Sequence, residues 1–432
     1  MLCLLCYVEL VHEARDIVLN LRNVFCASPQ TAEDYSELSR CSDAATRKAM
    51  YRRMATTSRP WSVNGRFLAR NLTGVDRYAL EMLKAIDTLI KENHSLAAGL
   101  ALEILCPPGV NSTPFNSITL RSLPGAPGHL WEQFIVPQYV RGGLLSLCNT
   151  GPLAVKKQIV CLHDANTRLA PDSYGFLFRT IYRLLQPALG RRVARINTVS
   201  RFSQAAIARL GIRPADQIDV IHNGYEHVLE WKADRSALNR LDLTVPFVLL
   251  LGSKAPHKNV AIVYSIAADL ADRGIHVLIA GGEDANVYAC ERNGQLPPNV
   301  KHLGRVADDD LAFLYRYALC LVFPSRTEGF GLPVLEAMAL GCPVISSDVA
   351  SLPEVCGDAV LYAGVDDAAA WLAAIDRIVA EPILRTKLAE AGRARSKAFS
   401  WRQGAQKYLE MMYALDNDTR NPSHLESKFP TL

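Results

Sequence analysis

Long apolar runs are missing from this 432-residue chain. No stretch of roughly 18 apolar residues occurs, so no transmembrane helix is expected. Charge of one sign is also scarce: 47 Lys and Arg stand against 43 Asp and Glu, a net charge of +4. That balance gives no support for nucleic acid as a partner, although a local basic face on anionic lipid stays open. Cysteine is present without a pairing pattern. The eleven residues are odd in number, and Cys106, Cys161, Cys320 and Cys342 sit in apolar segments. This is the use made of small buried residues in a reducing compartment, not of a disulfide framework. Cys3 and Cys6 form a lone CxxC with no second pair, so neither a metal nor a redox site is expected there. The opening MLCLLCYVELV is apolar but lacks a basic leader and a cleavage site and carries Glu9, so it does not read as a signal peptide.

Almost half of the residues are hydrophobic, at 49%. A chain of this length and composition can bury two or three cores. Short apolar runs at 101–106, 118–123, 144–148, 158–162, 194–199 and 218–221 alternate with helical patterns, and the same alternation resumes at 246–251. Strands alternating with helices indicate doubly wound parallel sheets, which bind ligands outside the carboxyl ends of their strands. Helices are expected over 201–210, where Ser200 reads as an N-cap, over 260–270, 308–317, 332–340, 367–381 and 383–397, and from Trp401 to Ala414. The segments 351–355 and 359–361 are expected to complete the second sheet.

One stretch organises the rest: LCLVFPSRTEGFGLPVLEAMALGCPVISSD, from Leu319 to Asp348. It reads as strand, loop, helix, strand. Pro333 stands in a first helical turn that does not need its N–H, and Gly341 fits the helix stop. The loop sets the backbone N–H groups of Gly329, Phe330 and Gly331 at a helix N-terminus, beside the first helical residue Leu332, where an anionic oxygen can be received. Glu328 and Glu336 flank that cradle. Taken singly, Glu336 would merely complement the helix dipole and Glu328 would be an ordinary loop acid. Elsewhere, Gly74 starts a helix after the loop 68–74, where it would let a diphosphate approach the backbone or simply serve as a turn glycine. His163 and Asp164 follow the strand 159–162, and Asp164 could orient the imidazole. Lys258 precedes a helix, where a cation faces the positive dipole end unless an anion joins it.

The pattern PS-R-TEGFG-LP-LEAMA-G-PVI-S, over about 25 residues, closely resembles the signature of the retaining GT-B glycosyltransferases of family 4. The resemblance extends from about residue 61 to 415. It implies two Rossmann-like α/β domains facing each other across a cleft, with a nucleotide sugar held mainly by the second and a hydroxyl acceptor by the first. It places Glu328 on the donor sugar, Glu336 on the ribose, Lys258 on the diphosphate and His163 near donor sugar and acceptor. Ser253 or Lys254 would be the second phosphate group, Gly74 would face the diphosphate, and the loop at Val306 would meet the base through its backbone. The reaction implied is hexosyl transfer with retention. It needs no cofactor and no metal, because Lys258 and the helix N-termini would carry the leaving charge. The resemblance leans towards GDP-mannose as donor, a glycan or lipid-linked acceptor in surface polysaccharide assembly, and a cytoplasmic protein touching the inner membrane peripherally. A nucleotide-sugar epimerase on the same architecture and a catalytically inactive scaffold are the other readings. Joint retention of Glu328, Glu336, Lys258 and His163 argues against the scaffold.

The expected organisation is an N-terminal extension over 1–57 outside the folded enzyme, an acceptor domain over 58–224 and a linker over 225–245. A nucleotide-sugar domain follows over 246–400, then a helix over 401–416 crossing back to the first domain, and a tail over 417–432. Met54 would make a plausible true start.

Overall fold

The computed structural model describes residues 58–70, 72–110, 113–234, 244–252, 255–281 and 297–417. The expected extension 1–57, most of the tail, the linker residues 235–243, and Ser253 and Lys254 lie outside them.

The first sheet contains β1 (Arg59–Asn64), β2 (Leu100–Cys106), β3 (Thr119–Ser122), β4 (Gly143–Ser146), β5 (Gln158–Cys161), β6 (Arg195–Thr198) and β7 (Ile218–Val220). Its order is β3-β2-β1-β4-β5-β6-β7, with every pair parallel. The second contains β8 (Phe247–Leu251), β9 (His276–Ala280), β10 (Val300–Gly304), β11 (Leu321–Phe323), β12 (Val344–Ser347) and β13 (Leu361–Ala363). Its order is β10-β9-β8-β11-β12-β13, again parallel. Central strands such as Phe247-Val-Leu-Leu-Leu251 are apolar on both faces because helices cover both faces. In each sheet the order reverses at the centre, between β1 and β4 and between β8 and β11. A crevice must open at the carboxyl ends of those strands, because successive connections leave there in opposite directions.

The last helix, Trp401–Asn417, ties the two halves together. It packs along helix Gly74–Lys91, where Gly404 leaves so little room that a Cβ would meet Met82 Cε at 2.7 Å. Tyr78 and Tyr408 share a hydroxyl contact of 2.9 Å, and Asn197 donates to Tyr408 at 2.8 Å. Asp416 at the far end accepts from Arg59 Nε at 2.6 Å, Lys157 Nζ at 2.7 Å and the Trp61 indole at 3.0 Å.

Several local expectations change. The segment expected to join the sheet at 351–355 is a short helix, Leu352–Cys356, because Pro353 suits a first helical turn and cannot donate to a ladder. The single helix over 260–270 is two, Val260–Ser265 and Ala267–Asp272, broken at Ile266, where the Ser265 hydroxyl bonds back to Ile262 O at 2.7 Å. A π turn, Trp131–Ile135, in which Val136 N–H reaches Trp131 O, runs directly into the short helix Val136–Tyr139. The start of the linker is ordered: Glu226–Glu230 forms a 3-10 turn, and Glu226 accepts from Trp401 N at 3.0 Å. The six cysteines described are free thiols, and burial pushes those of Cys161 and Cys342 up to about 12.

Asp416 neutralises two cations and one indole N–H at once. Asp416→Ala leaves all three partly buried without that partner. It should lower unfolding free energy by about 2–3 kcal/mol, less than for a fully buried pair. Urea denaturation measures this, and a loss under about 0.5 kcal/mol would show that the anchor is dispensable.

Candidate functional site

The loops after β8 and β11, at one switch point, face those after β1, β4 and β5 at the other. Between them lies a cleft of about 560 Å³, within the range of small-molecule sites. Gly74, His163, Lys258, Glu328, Gly329, Phe330, Gly331 and Leu332 all line it.

Gly331, at φ 100°, takes the left-handed conformation that ends the loop and caps helix Leu332–Leu340. The loop is pinned from both sides. Ser200 Oγ donates to Gly329 O at 2.6 Å, while Ser203 Oγ lies 2.9 Å from His163 O and 3.1 Å from Gly329 O. Ser351 Oγ sits 3.0 Å from both Glu328 O and Phe330 O. Gly329 passes so near β5 that a Cβ would meet His163 O at 2.5 Å. Thr327 donates across the cleft to Asn166 at 3.1 Å.

Lys258 ends a 3-10 turn, Pro256–Lys258, and left-handed Asn259 then starts the following helix. Its ammonium donates to Glu328 Oε1 at 2.7 Å. The two groups that the resemblance gives to diphosphate and sugar thus neutralise one another. Gly74 starts helix Gly74–Lys91 behind a capping box of Thr73 and Asp76, and a Cβ there would touch nothing within 4 Å. Its place is open backbone facing the cleft, at a helix N-terminus.

His163 is held by Leu147 O, 2.8 Å from Nε2. A carbonyl only accepts, so Nε2 carries the hydrogen and Nδ1 a lone pair. Burial lowers its pKa from 6.5 to about 4, leaving a neutral imidazole at neutral pH. Asp164 does not orient the ring. Its Oδ1 accepts from Asn166 N at 2.9 Å and closes a turn, while Tyr78 supports the imidazole edge-on at 4.6 Å.

Glu336 is not on the cleft wall. It is 4% exposed, on the buried face of helix Leu332–Leu340. Trp401 Nε1 donates to His227 Nδ1 at 3.0 Å, so His227 Nε2 carries the hydrogen that Glu336 Oε1 accepts at 3.0 Å. Tyr315 OH approaches Oε2 at 3.3 Å. His227 belongs to the expected linker, so sequence reasoning missed it. Val306 is half-buried against the core and also off the cleft wall. Nearby, Arg77 forms a two-pronged ion pair with Asp308 across the two halves, its guanidinium over Trp231 at 5.3 Å. Also missed were Tyr174, Phe178, Tyr182 and Gln186, which line the cleft at four-residue spacing. That periodicity was their available signal.

Residues 234–395 match the family model described as glycosyl transferases group 1. An O-antigen chain mannosyltransferase B of Escherichia coli is 31% identical over 265 residues, covering 58% of this chain and 68% of that one. The O-antigen chain mannosyltransferase RfbU of Salmonella typhimurium is 27% identical over 330 residues, 73% of this chain and 90% of its own. Among solved structures, sucrose-phosphate synthase from Thermosynechococcus elongatus superposes with TM-score 0.65 at 19% identity, covering 83% of this chain and 99% of that one. WaaG, a glycosyltransferase involved in lipopolysaccharide biosynthesis, gives TM-score 0.58 at 13% identity, with coverage of 82% and 99%. The fold is GT-B. The chain belongs to the glycosyl transferases group 1 and is a glycosyltransferase.

A buried neutral histidine makes stability depend on pH. The unfolded ring titrates near 6.5 and the folded one near 4, so the unfolded state binds the extra proton between them. The contribution is fully present above about pH 6.5 and is lost towards pH 4, at up to roughly 1.4 kcal/mol per pH unit. Denaturation of wild type and His163→Gln at pH 7, 6 and 5 should show the wild type losing stability faster. Parallel curves would show that His163 titrates normally.

Proposed function

We propose that this glycosyltransferase moves a mannosyl group, with retention, from GDP-mannose to a hydroxyl of a glycan or lipid-linked acceptor in surface polysaccharide assembly. The O-antigen mannosyltransferase relatives support the sugar and the pathway class. The observation that carries the reading is the Lys258–Glu328 pair beside the Leu332–Leu340 helix N-terminus in the cleft. An incoming diphosphate competes for Lys258 and for the loop N–H groups of Gly329, Phe330 and Gly331. Glu328, released from its cation, then accepts hydroxyls of the transferred sugar. The leaving charge falls on the ammonium and the helix dipole, without a metal ion. The leaving phosphate takes the acceptor's proton, and His163 Nδ1, a lone-pair acceptor, holds a sugar hydroxyl without giving a proton. Glu336, whose carboxylate His227 and Tyr315 hold, is the ribose carboxylate of this reading. Gly74 would receive the diphosphate from the facing domain, Ser253 or Lys254 would add a second phosphate contact, and the backbone at Val306 would meet the base.

A thermal-shift series with GDP, UDP and ADP tests the donor, because selective binding raises the melting temperature by mass action. GDP should stabilise most, and stronger stabilisation by UDP would overturn the donor. Labelled GDP-mannose should yield product only when a lipid-linked glycan is added. Sugar conversion without acceptor would point to an epimerase. Lys258→Ala should weaken GDP binding by about 1.5–3 kcal/mol, as for a hydrogen bond to a charged group, and guanosine binding much less. Equal losses would sink the diphosphate role.

Peripheral contact with the cytoplasmic membrane face belongs to the same proposal. Among the described residues no helix is long and apolar enough to cross a membrane. The helix Phe176–Arg192 instead exposes Phe176 at 77%, Leu177 and Leu184 at 72%, together with Arg183 and Arg191, and carries no acid. Apolar insertion with flanking cations suits an anionic bilayer. Phosphatidylglycerol vesicles should sediment the protein and phosphatidylcholine vesicles should not. Unchanged sedimentation of the double variant Leu177→Glu, Leu184→Glu would dismiss this face.

A further inference from the structure

The cation that the reading above gives to the diphosphate stands on little local structure. Lys258 ends the 3-10 turn Pro256–Lys258. So short a turn has few hydrogen bonds of its own. Lys258 N–H reaches Ala255 O at 2.8 Å, Asn259 N–H reaches Pro256 O at 3.1 Å, and Pro256 has no N–H to add. A lysine side chain gives up much rotamer freedom when it is fixed. The turn beneath it must be firm if the ammonium is to stand ready for a ligand.

That firmness comes from the first domain. Between β5 and helix Phe176–Arg192 the chain forms two short helical turns, Asn166–Leu169 and Pro171–Ser173. Ser173 Oγ lies 2.8 Å from His257 Nδ1 and accepts the His257 backbone N–H at 3.4 Å. The Tyr174 ring runs parallel to that of His257, 6.2 Å away with the planes 10° apart. Earlier in the same segment, Asn166 Oδ1 accepts from Thr327 Oγ1 at 3.1 Å. His257, Asn166 and Thr327 are all buried. Both second-domain partners are chain neighbours of the charged pair: His257 precedes Lys258, and Thr327 precedes Glu328. Their two loops are joined twice, by Arg326 N–H to His257 O at 2.8 Å and by Lys258 Nζ to Glu328 Oε1 at 2.7 Å. The contacts close a ring, with segment 166–173 on one side and the ion pair on the other. Ser173 is not among the residues that line the cleft, whereas His257 and Lys258 are. Its effect on a ligand therefore passes through them.

We infer that Ser173 is a positioning residue for Lys258: through its contact with His257, the first domain fixes the turn that delivers the ammonium to the diphosphate. This rests on the nucleotide-sugar reading above. It goes beyond that reading by making the grip on phosphate depend on the docking of segment 166–173 against the second domain.

Isothermal titration calorimetry on the full chain tests this with a nucleoside diphosphate and its nucleoside. The pair is GDP and guanosine, or that of whichever base the wild type binds best. Ser173→Ala should weaken the diphosphate about three- to tenfold, the factor for one lost hydrogen bond, and the nucleoside less than about twofold. Ser173→Thr keeps the hydroxyl and should restore most of the loss. In a Lys258→Ala background the same Ser173→Ala change should cost less than about twofold, because a residue that acts through another is silent once the other is gone. A serine with a structural role alone would weaken both ligands alike and lower the melting temperature. That result, a full additive loss beside Lys258→Ala, or an unchanged diphosphate affinity overturns the inference. Wild type that binds none of GDP, UDP and ADP overturns the nucleotide-sugar reading itself, and this inference with it.

Discussion

The carbonyl of Gly329 is the point on which the site depends. It accepts from Ser200 and lies within reach of Ser203, both in the first domain, while its own Cα stands where a side chain would strike His163 O. One backbone position of the second domain is therefore locked against the end of a strand in the first. The glycine permits the approach, and two serine hydroxyls on helix Arg201–Arg209 and its cap hold it. Everything placed by that loop follows: Glu328 before it, the helix N-terminus after it, and Lys258 drawn to Glu328.

The electrostatics of the cleft suit an exchange of partners. Lys258 and Glu328 satisfy each other at 2.7 Å, so neither charge stands alone at the edge of a partly buried site. In the proposed reaction a diphosphate, with more negative charge than one carboxylate, takes the ammonium over and leaves Glu328 to accept hydroxyls. The neutral imidazole of His163 adds no third charge to this balance. Beneath it, the chain Trp401–His227–Glu336 joins the final helix, the start of the linker and the signature helix through two hydrogen bonds. The segment that crosses between domains is thus tied to a carboxylate of the signature itself.

One helix also serves two environments. The face of Phe176–Arg192 turned to the cleft carries stacked rings and an unsatisfied amide oxygen, while the outward face carries exposed apolar side chains and arginines.

The strand–helix alternation, the parallel sheets and the signature loop were legible in sequence, because fully apolar strands, caps and Gly-bounded turns are local signals. Helices Leu332–Leu340 and Asp308–Tyr317 fall on the expected bounds, and Ser200 caps as its type requires. Local signals failed where two of them competed, as at Pro353, where an apolar run suggested strand and the proline favoured a first helical turn. What the tertiary structure alone decided is which groups meet. Gln186 and Thr167 stand 19 residues apart on one cleft wall, His227 and Glu336 are joined across 109 residues, and Lys258 and Glu328 across 70. Such pairings arise from the order in which strands are laid into two sheets and from how those sheets face each other, and no local pattern of residues encodes that geometry.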